Sequence, residues 1–223
     1  RIHRNAFVIG EEHLSGISGK GGSFLEITAL VENRASVRSG RLRTELGLAV
    51  HVGLPAGDLL FDAGASDAFV HNASRLGVDL SRVRAVVVSH GHYDHVGGLP
   101  VFFPLNASAP VYLHQRVASR CVLRILPFLS RDIGVAPSLL KASPDRFRFI
   151  DRTLEIADGV FVVAGLSRCH PLPPDSRYFF IEDQGVLVPD DFRHEILLVV
   201  QGPGGLAVLA GGCHRGVRNA VAT

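Results

Sequence analysis

Apolar residues along this chain fall in short runs, many with a period of two, separated by Gly, Pro, Asn and Asp. Residues 24–33, FLEITALVEN, alternate and predict a strand. LGLAVHVG and DLLFDAG predict two more, joined by the turn LPAG, whose Pro and Gly suit turn backbone. Residues 66–77, SDAFVHNASRLG, predict a short helix. Ser66 can cap it, Asp67 favours its positive N-terminal end, and Gly77 can end it. VRAVVVS (83–89) is nearly continuous in apolar residues, the pattern of a strand buried on both faces. VYLH (111–114) predicts another strand, and a helix is expected around 115–129, with Pro127 near its end. From about residue 146 the strand pattern returns in RFRFI, GVFVVAG, RYFFIE, EILLVVQ and LAVLAG. This order of elements predicts an α/β layer fold, two packed sheets with helices outside. Residues 1–22 are Gly-rich and weakly patterned, and read as a mobile lead-in to one domain over 23–223. Residues 34–45 form an arginine-rich polar segment. Its Arg34, Arg38, Arg41 and Arg43 suit a solvated loop better than contacts to an anionic substrate.

Composition narrows the function classes. The 223 residues are 47% hydrophobic and 20% charged, enough to bury a sizeable core. A net charge of +2 with interspersed signs gives no nucleic-acid stripe or basic membrane helix. No apolar stretch reaches membrane-span length, and the N-terminus has no secretory pattern. The expectation is a cytoplasmic protein with a small-molecule substrate and neither a nucleic-acid nor a membrane partner. Cys121, Cys169 and Cys213 are widely spaced and form no CxxC pair, so neither a disulfide framework nor a cysteine-rich zinc knuckle is indicated. The chain begins at Arg1, holds no methionine and stops at Thr223, and so reads as a fragment of a longer protein.

The chemistry concentrates in VVVSHGHYDHVGG, residues 86–98. Imidazoles and carboxylates gain nothing from an apolar core, but they are common ligands of transition metals. In an extended segment His90 and His92 point to the same side and can grip one ion. Asp94 and His95 follow a turn of the chain and can reach a second ion. Gly91 leaves the backbone uncrowded, and Gly97 and Gly98 allow a tight exit. The bland alternative is a histidine-rich surface loop. A first ion held by two histidines needs a third protein ligand. His214 is the choice, because it follows the apolar strand LAVLAGG and repeats the strand-to-loop setting of His90. His170, in SRCHPLPP, is its competitor and is otherwise a loop histidine. His194, in DDFRHE, lies with Asp190, Asp191 and Glu195. That cluster either lines a substrate pocket or caps a helix before ILLVVQ. His51, His71 and His114 lie within ordinary strand or helix patterns and read as structural.

SHGHYDHVGGL resembles the His-X-His-X-Asp-His motif of the metallo-β-lactamase superfamily, and LLFDAG its earlier strand-end motif, with Asp62 as the aspartate. LVENRA, ELGLAVHV, LLFDAGAS, NASRLGVDLSRVRAVVVSHGHYDHVGGL, DDFRHE and LAVLAGGCHRGVRN, in that order, resemble the dihydropterin synthase-like branch. That branch contains relatives of 7,8-dihydropterin-6-methyl-4-(β-ribofuranosyl)aminobenzene-5′-phosphate synthase. The resemblance implies an αββα sandwich of two mixed sheets with outer helices and a metal site at one edge between the sheets. It implies that His90 and His92 bind one ion, that Asp94 and His95 bind a second, and that Asp62 orients a ligand without touching the ion. Two departures stand out. The branch carries Glu-His-Gly-Leu-Ser where this chain has Glu45-Leu46-Gly47-Leu48-Ala49, and Gly-Cys-Ser-His where it has Gly211-Gly212-Cys213-His214. Superfamily members also continue with further ligands, so the domain is expected to be incomplete at its C-terminus and the second ion short of ligands.

The leading expectation is a metal-dependent hydrolase that uses a metal-bound hydroxide on an ester, amide or phosphoester, with Asp94 helping to hold the nucleophile. One or two zinc ions would serve, with manganese or iron as alternatives. A pterin-linked transferase is the second reading, and a non-catalytic metal-binding remnant or sensor the third. Fold does not determine the substrate, and oligomeric state is not written in the chain.

Overall fold

A computed structural model describes residues 7–9, 25–34, 42–126, 128–202 and 204–223. Its strands, β1–β15, and helices, α1–α5, are numbered along the chain. The first sheet runs β2 (Glu26–Val31), β3 (Ala49–Gly53), β4 (Asp58–Phe61), β5 (Val83–Val87), β6 (Val111–His114), β9 (Phe147–Ile150). It is mixed: β2, β3 and β4 pair antiparallel, and β4, β5, β6 and β9 pair parallel. Parallel neighbours need crossovers. α1 (Ala68–Leu76) connects β4 to β5, and α3 (Leu99–Leu105) lies between β5 and β6. The Ala68 amide donates to Ser66 Oγ at 3.1 Å, and Gly77 closes α1 at φ 75°.

The period-two pattern decides which face each apolar residue joins. Leu60, Val86 and Val111 pack under Phe69 of α1 and Phe102 of α3. Leu139 and Leu140 of α4 (Pro137–Ala142) add to this layer. Leu59, Phe61, Ala85 and Val87 turn the other way and meet Val160, Val162, Leu198, Val200 and Leu209 of a second sheet. That sheet runs β1 (Phe7–Ile9), β15 (Gly205–Ala210), β14 (Leu197–Gly202), β11 (Val160–Val163), β10 (Leu154–Ala157), antiparallel throughout. Its outer face meets Ala220 of α5 (Val217–Val221) through Leu197 and Ala210. The expected helix–sheet–sheet–helix layering is present. Within the expected lead-in, Phe7–Ile9 is a strand; the rest of residues 1–22 lies outside the described residues, as do Arg38 and Arg41.

A third sheet corrects the expected helix around 115–129. Only Gln115–Ala118 is helical, a single 3-10 turn. The chain then enters β7 (Cys121–Leu126) and returns as β8 (Leu129–Asp132), beside β12 (Phe179–Asp183) and β13 (Val186–Pro189). Short apolar runs such as CVLRIL suit either conformation. Here two strand partners decide: Cys121, Val122 and Leu123 pair with Ile181, Phe180 and Phe179. The inner end of this sheet, with Cys121 and Phe179, packs against Tyr93, and Phe179 reaches His92 in the segment that follows β5. Among the described residues no helix is long and apolar enough to cross a membrane.

Candidate metal centre

β5 ends at Val87, and the next five residues carry Ser89, His90 and His92 into α2 (Tyr93–Val96), which holds Asp94 and His95. His92 is still extended at φ −80°, ψ 145°, so its ring shares a side with that of His90. His90 Nε2 lies 3.0 Å from His92 Nδ1. The ring of His214 lies 4.9 Å from that of His90 and 4.7 Å from that of His92, centre to centre. One nitrogen from each of the three lies within 4.8 Å of the others. Gly211 and Gly212, which follow β15, make this approach possible. A Cβ on Gly211 would fall 2.0 Å from Ser89 Oγ, and one on Gly212 would fall 2.5 Å from His214 Nε2.

Asp62 organises the cluster from behind. It is fully buried, sits at φ 58° just after β4, and accepts from the Ser89 amide at 2.7 Å and the Ser89 hydroxyl at 2.8 Å. Its Oδ2 lies 2.6 Å from His95 Nδ1. The network assigns the tautomers. Ser89 spends its proton on Asp62, so at 2.9 Å it must accept from His90 Nδ1–H. His90 Nε2 is then a bare lone pair aimed at His92. His95 donates from Nδ1, which leaves its Nε2 facing Asp94 Oδ2 at 3.6 Å.

Burial, and then the crowd of neighbouring imidazoles, holds His90 and His92 well below the usual histidine range, so both are neutral. Burial also disfavours charge on His95, but the Asp62 carboxylate outweighs it and the ring is shifted upward. Two ring nitrogens 3.0 Å apart need a proton or a cation between them. A neutral His92 can supply that proton from Nδ1, and a metal ion, which binds neutral imidazole, can take its place. Phe179 stacks on His92 at 5.4 Å and Phe192 on His214 at 5.0 Å, so apolar rings wall the site.

His214 is set by Glu195, a buried carboxylate raised by its burial even though it accepts from the His214 and Arg215 amides, each at 2.7 Å. Those amides directly follow Cys213, a non-glycine at φ 49°. His170 is held by its backbone, whose amide donates to Asn219 Oδ1 at 2.8 Å. Asp191 is committed locally to the Arg193 guanidinium and amide. His194 Nε2 lies 3.0 Å from Asp190 Oδ2. The segment before β14 is a turn, not a helix, and both aspartates accept amide hydrogens within it. Sequence reasoning missed Ser89 and the clamp by Glu195. Ser89 sits inside SHGH and was readable as a donor next to His90. The Glu195 clamp and the two phenylalanine walls depend on distant chain meeting at the site.

His114, expected to be structural, accepts from the Arg116 amide through Nδ1 at 3.1 Å and caps the 3-10 turn. Burial, followed by His194 and Arg116, pushes it down to about 4. Because the folded value lies below the unfolded one, this contribution is intact above about pH 6.5 and is lost as pH falls toward 4. His114→Asn keeps a capping acceptor without the titration. The metal-free variant is expected to lose less Tm than the parent between those two pH values. By calorimetry the difference should be about 2–4 °C, or about 1 kcal/mol.

The profile of the Metallo-beta-lactamase superfamily matches residues 46–212. The crystal structure of Tm1679, a metal-dependent hydrolase of the beta-lactamase superfamily, superposes with a TM-score of 0.72 and 28% identity, covering 89% of this chain and 70% of that one. Ribonuclease J 1 of Streptococcus pyogenes serotype M3 (strain ATCC BAA-595 / MGAS315) is 40% identical over 58 residues, 26% of this chain. The match spans 10% of the length of that curated relative. These likenesses reach the superfamily and do not support the dihydropterin synthase-like branch. A match that begins before β3, takes in Asp62 and the 90–95 loop and ends at Gly212 covers the sandwich rather than a motif, and the chain belongs to the metallo-β-lactamase superfamily.

Proposed function

We propose that the protein is a metal-dependent hydrolase acting on an ester, amide or phosphoester bond of a small molecule. The observation that carries this reading is the close convergence of His90, His92 and His214, beside an Asp94–His95 pair held by Asp62. Three imidazoles suit zinc, and the carboxylate alongside also admits manganese or iron. Such an ion, when bound, supplies a Lewis acid and a water of lowered pKa. The chain does the rest. Asp62 and Ser89 leave His90 Nε2 bare and orient the His95 ring. Asp94, with its side chain 15% exposed, stands where the buried cluster meets solvent and can orient the attacking water and take its proton. Phe179 and Phe192 exclude water from the far side of the rings. The three cysteines are free, in keeping with a reducing compartment such as the cytoplasm.

The test is a panel of carboxylic esters, amides, phosphomonoesters and phosphodiesters. RNA is included because of the likeness to ribonuclease J 1. Zinc-loaded protein is expected to turn over one of these classes, to lose the activity to a chelator and to regain it with zinc. Stoichiometric zinc without turnover of any class would overturn the reading. A condensed product from a dihydropterin and a phosphorylated ribose-bearing partner would replace it with the transferase.

A further inference from the structure

His92 belongs to two groups of donors. On one side its Nδ1 faces His90; its Nε2 is buried and has no hydrogen-bond partner among the described residues. Cys121 at the start of β7, and Asp190 and His194 from the turn between β13 and β14, complete a second group. One donor atom from each of His92, Cys121, Asp190 and His194 lies within 4.8 Å of the others. All four residues are at most 3% exposed.

The partners inside this group are few. Asp190 Oδ1 accepts the Phe192 amide at 2.7 Å, and Oδ2 lies 3.0 Å from His194 Nε2. His194 Nδ1, like His92 Nε2, is buried without a hydrogen bond among the described residues. The Cys121 thiol has a weak contact to the Ser119 carbonyl at 3.7 Å. A buried polar atom left unpaired costs about 1–3 kcal/mol. Two of them beside a thiol and a carboxylate make a poor apolar core and a good ligand set. Nitrogen, nitrogen, sulfur and oxygen donors suit zinc or cobalt and are wrong for magnesium or calcium, which take oxygen. Drawing the donors in to the ~3.3–3.8 Å separations of a tetrahedral site asks for shifts of about 1 Å.

We infer that His92, Cys121, Asp190 and His194 bind a divalent cation of the zinc type, at a site separate from the one formed by His90 and His214; Cys121 binds as thiolate and His92, standing between the two sites, as a bridging imidazolate, and both protons leave to solvent. Of the four, only His92 comes from the 90–95 loop. The third sheet and the turn before β14 therefore have a purpose beyond walling the first site: they present a thiol, a carboxylate and an imidazole to the back of His92. The inference is independent of what the protein hydrolyses.

Cobalt(II) distinguishes the sites, because a cobalt–thiolate bond absorbs in the near ultraviolet and cobalt held by nitrogen and oxygen alone does not. Metal-free protein is titrated with cobalt chloride, and bound metal is counted after gel filtration. The native chain is expected to show the charge-transfer band. Cys169→Ser and Cys213→Ser should keep it. Cys121→Ser should lose it together with one equivalent of metal while its circular dichroism is unchanged. His194→Gln, tested separately, should also lose that equivalent. A native chain without the band at saturation, a band that survives in Cys121→Ser, or one that disappears in Cys213→Ser would each overturn the assignment. Should Cys121→Ser fail to fold, the native spectrum and His194→Gln decide between the same outcomes.

Discussion

Replacing Asp62 by asparagine is expected to weaken zinc binding by roughly 10–100-fold while leaving the fold intact. Asparagine is the right probe because residue 62 sits at φ 58°, where Asn is tolerated nearly as well as Asp and alanine is not. The backbone is thus unchanged and only the carboxylate is lost. One amide oxygen can still accept the Ser89 amide now bonded at 2.7 Å. The other position becomes an NH2 group that faces the Ser89 hydroxyl and His95 Nδ1, both donors in the native network. Ser89 must then turn its proton elsewhere, and His95 loses its partner. The consequence falls on His90 Nε2, which is bare because the Ser89 proton is spent on Asp62, and on His95, whose ring loses the carboxylate that orients it. Competition against a chromophoric chelator measures the change. Native affinity within twofold would mean that the carboxylate does not set the tautomers.

The sandwich could be read locally because period-two alternation names the face each residue joins. Leu59 and Phe61 on one side of β4 and Leu60 on the other follow that rule. The glycine at 77 marked the end of α1 for the same kind of reason, a backbone conformation that other residues avoid. The loop 90–95 stood out because its residue types are costly in any core without a metal. CVLRIL was misread because its conformation is decided by β12, whose paired residues lie some sixty positions later. His214 was reachable by analogy between two strand ends, yet its clamp, Glu195, was not, since a carboxylate in a polar cluster looks solvated until its amide partners are known. The departure at residues 45–49 is also explained only in three dimensions. The Glu45 carboxylate takes the Ala65 amide at 2.8 Å and the Ser66 hydroxyl. Gly47 sits at φ 136°, where a Cβ would be 2.1 Å from the Asp94 carbonyl. Glu45 thus holds the turn at 65–66 and Gly47 lets the chain pass against the 90–95 loop; Glu45, Gly47 and Leu48 are shared with the branch pattern, while Leu46, 46% exposed, and Ala49, buried, differ from it.

Glu195→Leu is expected to cost about 3 kcal/mol and to lower Tm by about 6–12 °C in a chain of this size. The His214 and Arg215 amides each lose a 2.7 Å bond to a carboxylate, in a place where Glu195 is 4% exposed and water has little access. Two orphaned buried donors cost about 1–3 kcal/mol each, and leucine recovers part of this because a raised, buried carboxylate no longer has to be kept from water. The same change bears on the metal. Cys213 at φ 49° directly precedes the two clamped amides, and without them the turn relaxes toward ordinary backbone and swings His214 away from His90 and His92. Zinc affinity should therefore fall by at least about tenfold, the lower end of what loss of a ligand's support costs. Glu195→Gln keeps one acceptor and should fall between the two. Calorimetry on metal-free protein and a zinc competition titration on the same samples separate the two effects. A lowered Tm with unchanged zinc affinity would show that the clamp is structural only and would remove His214 from the ligand set.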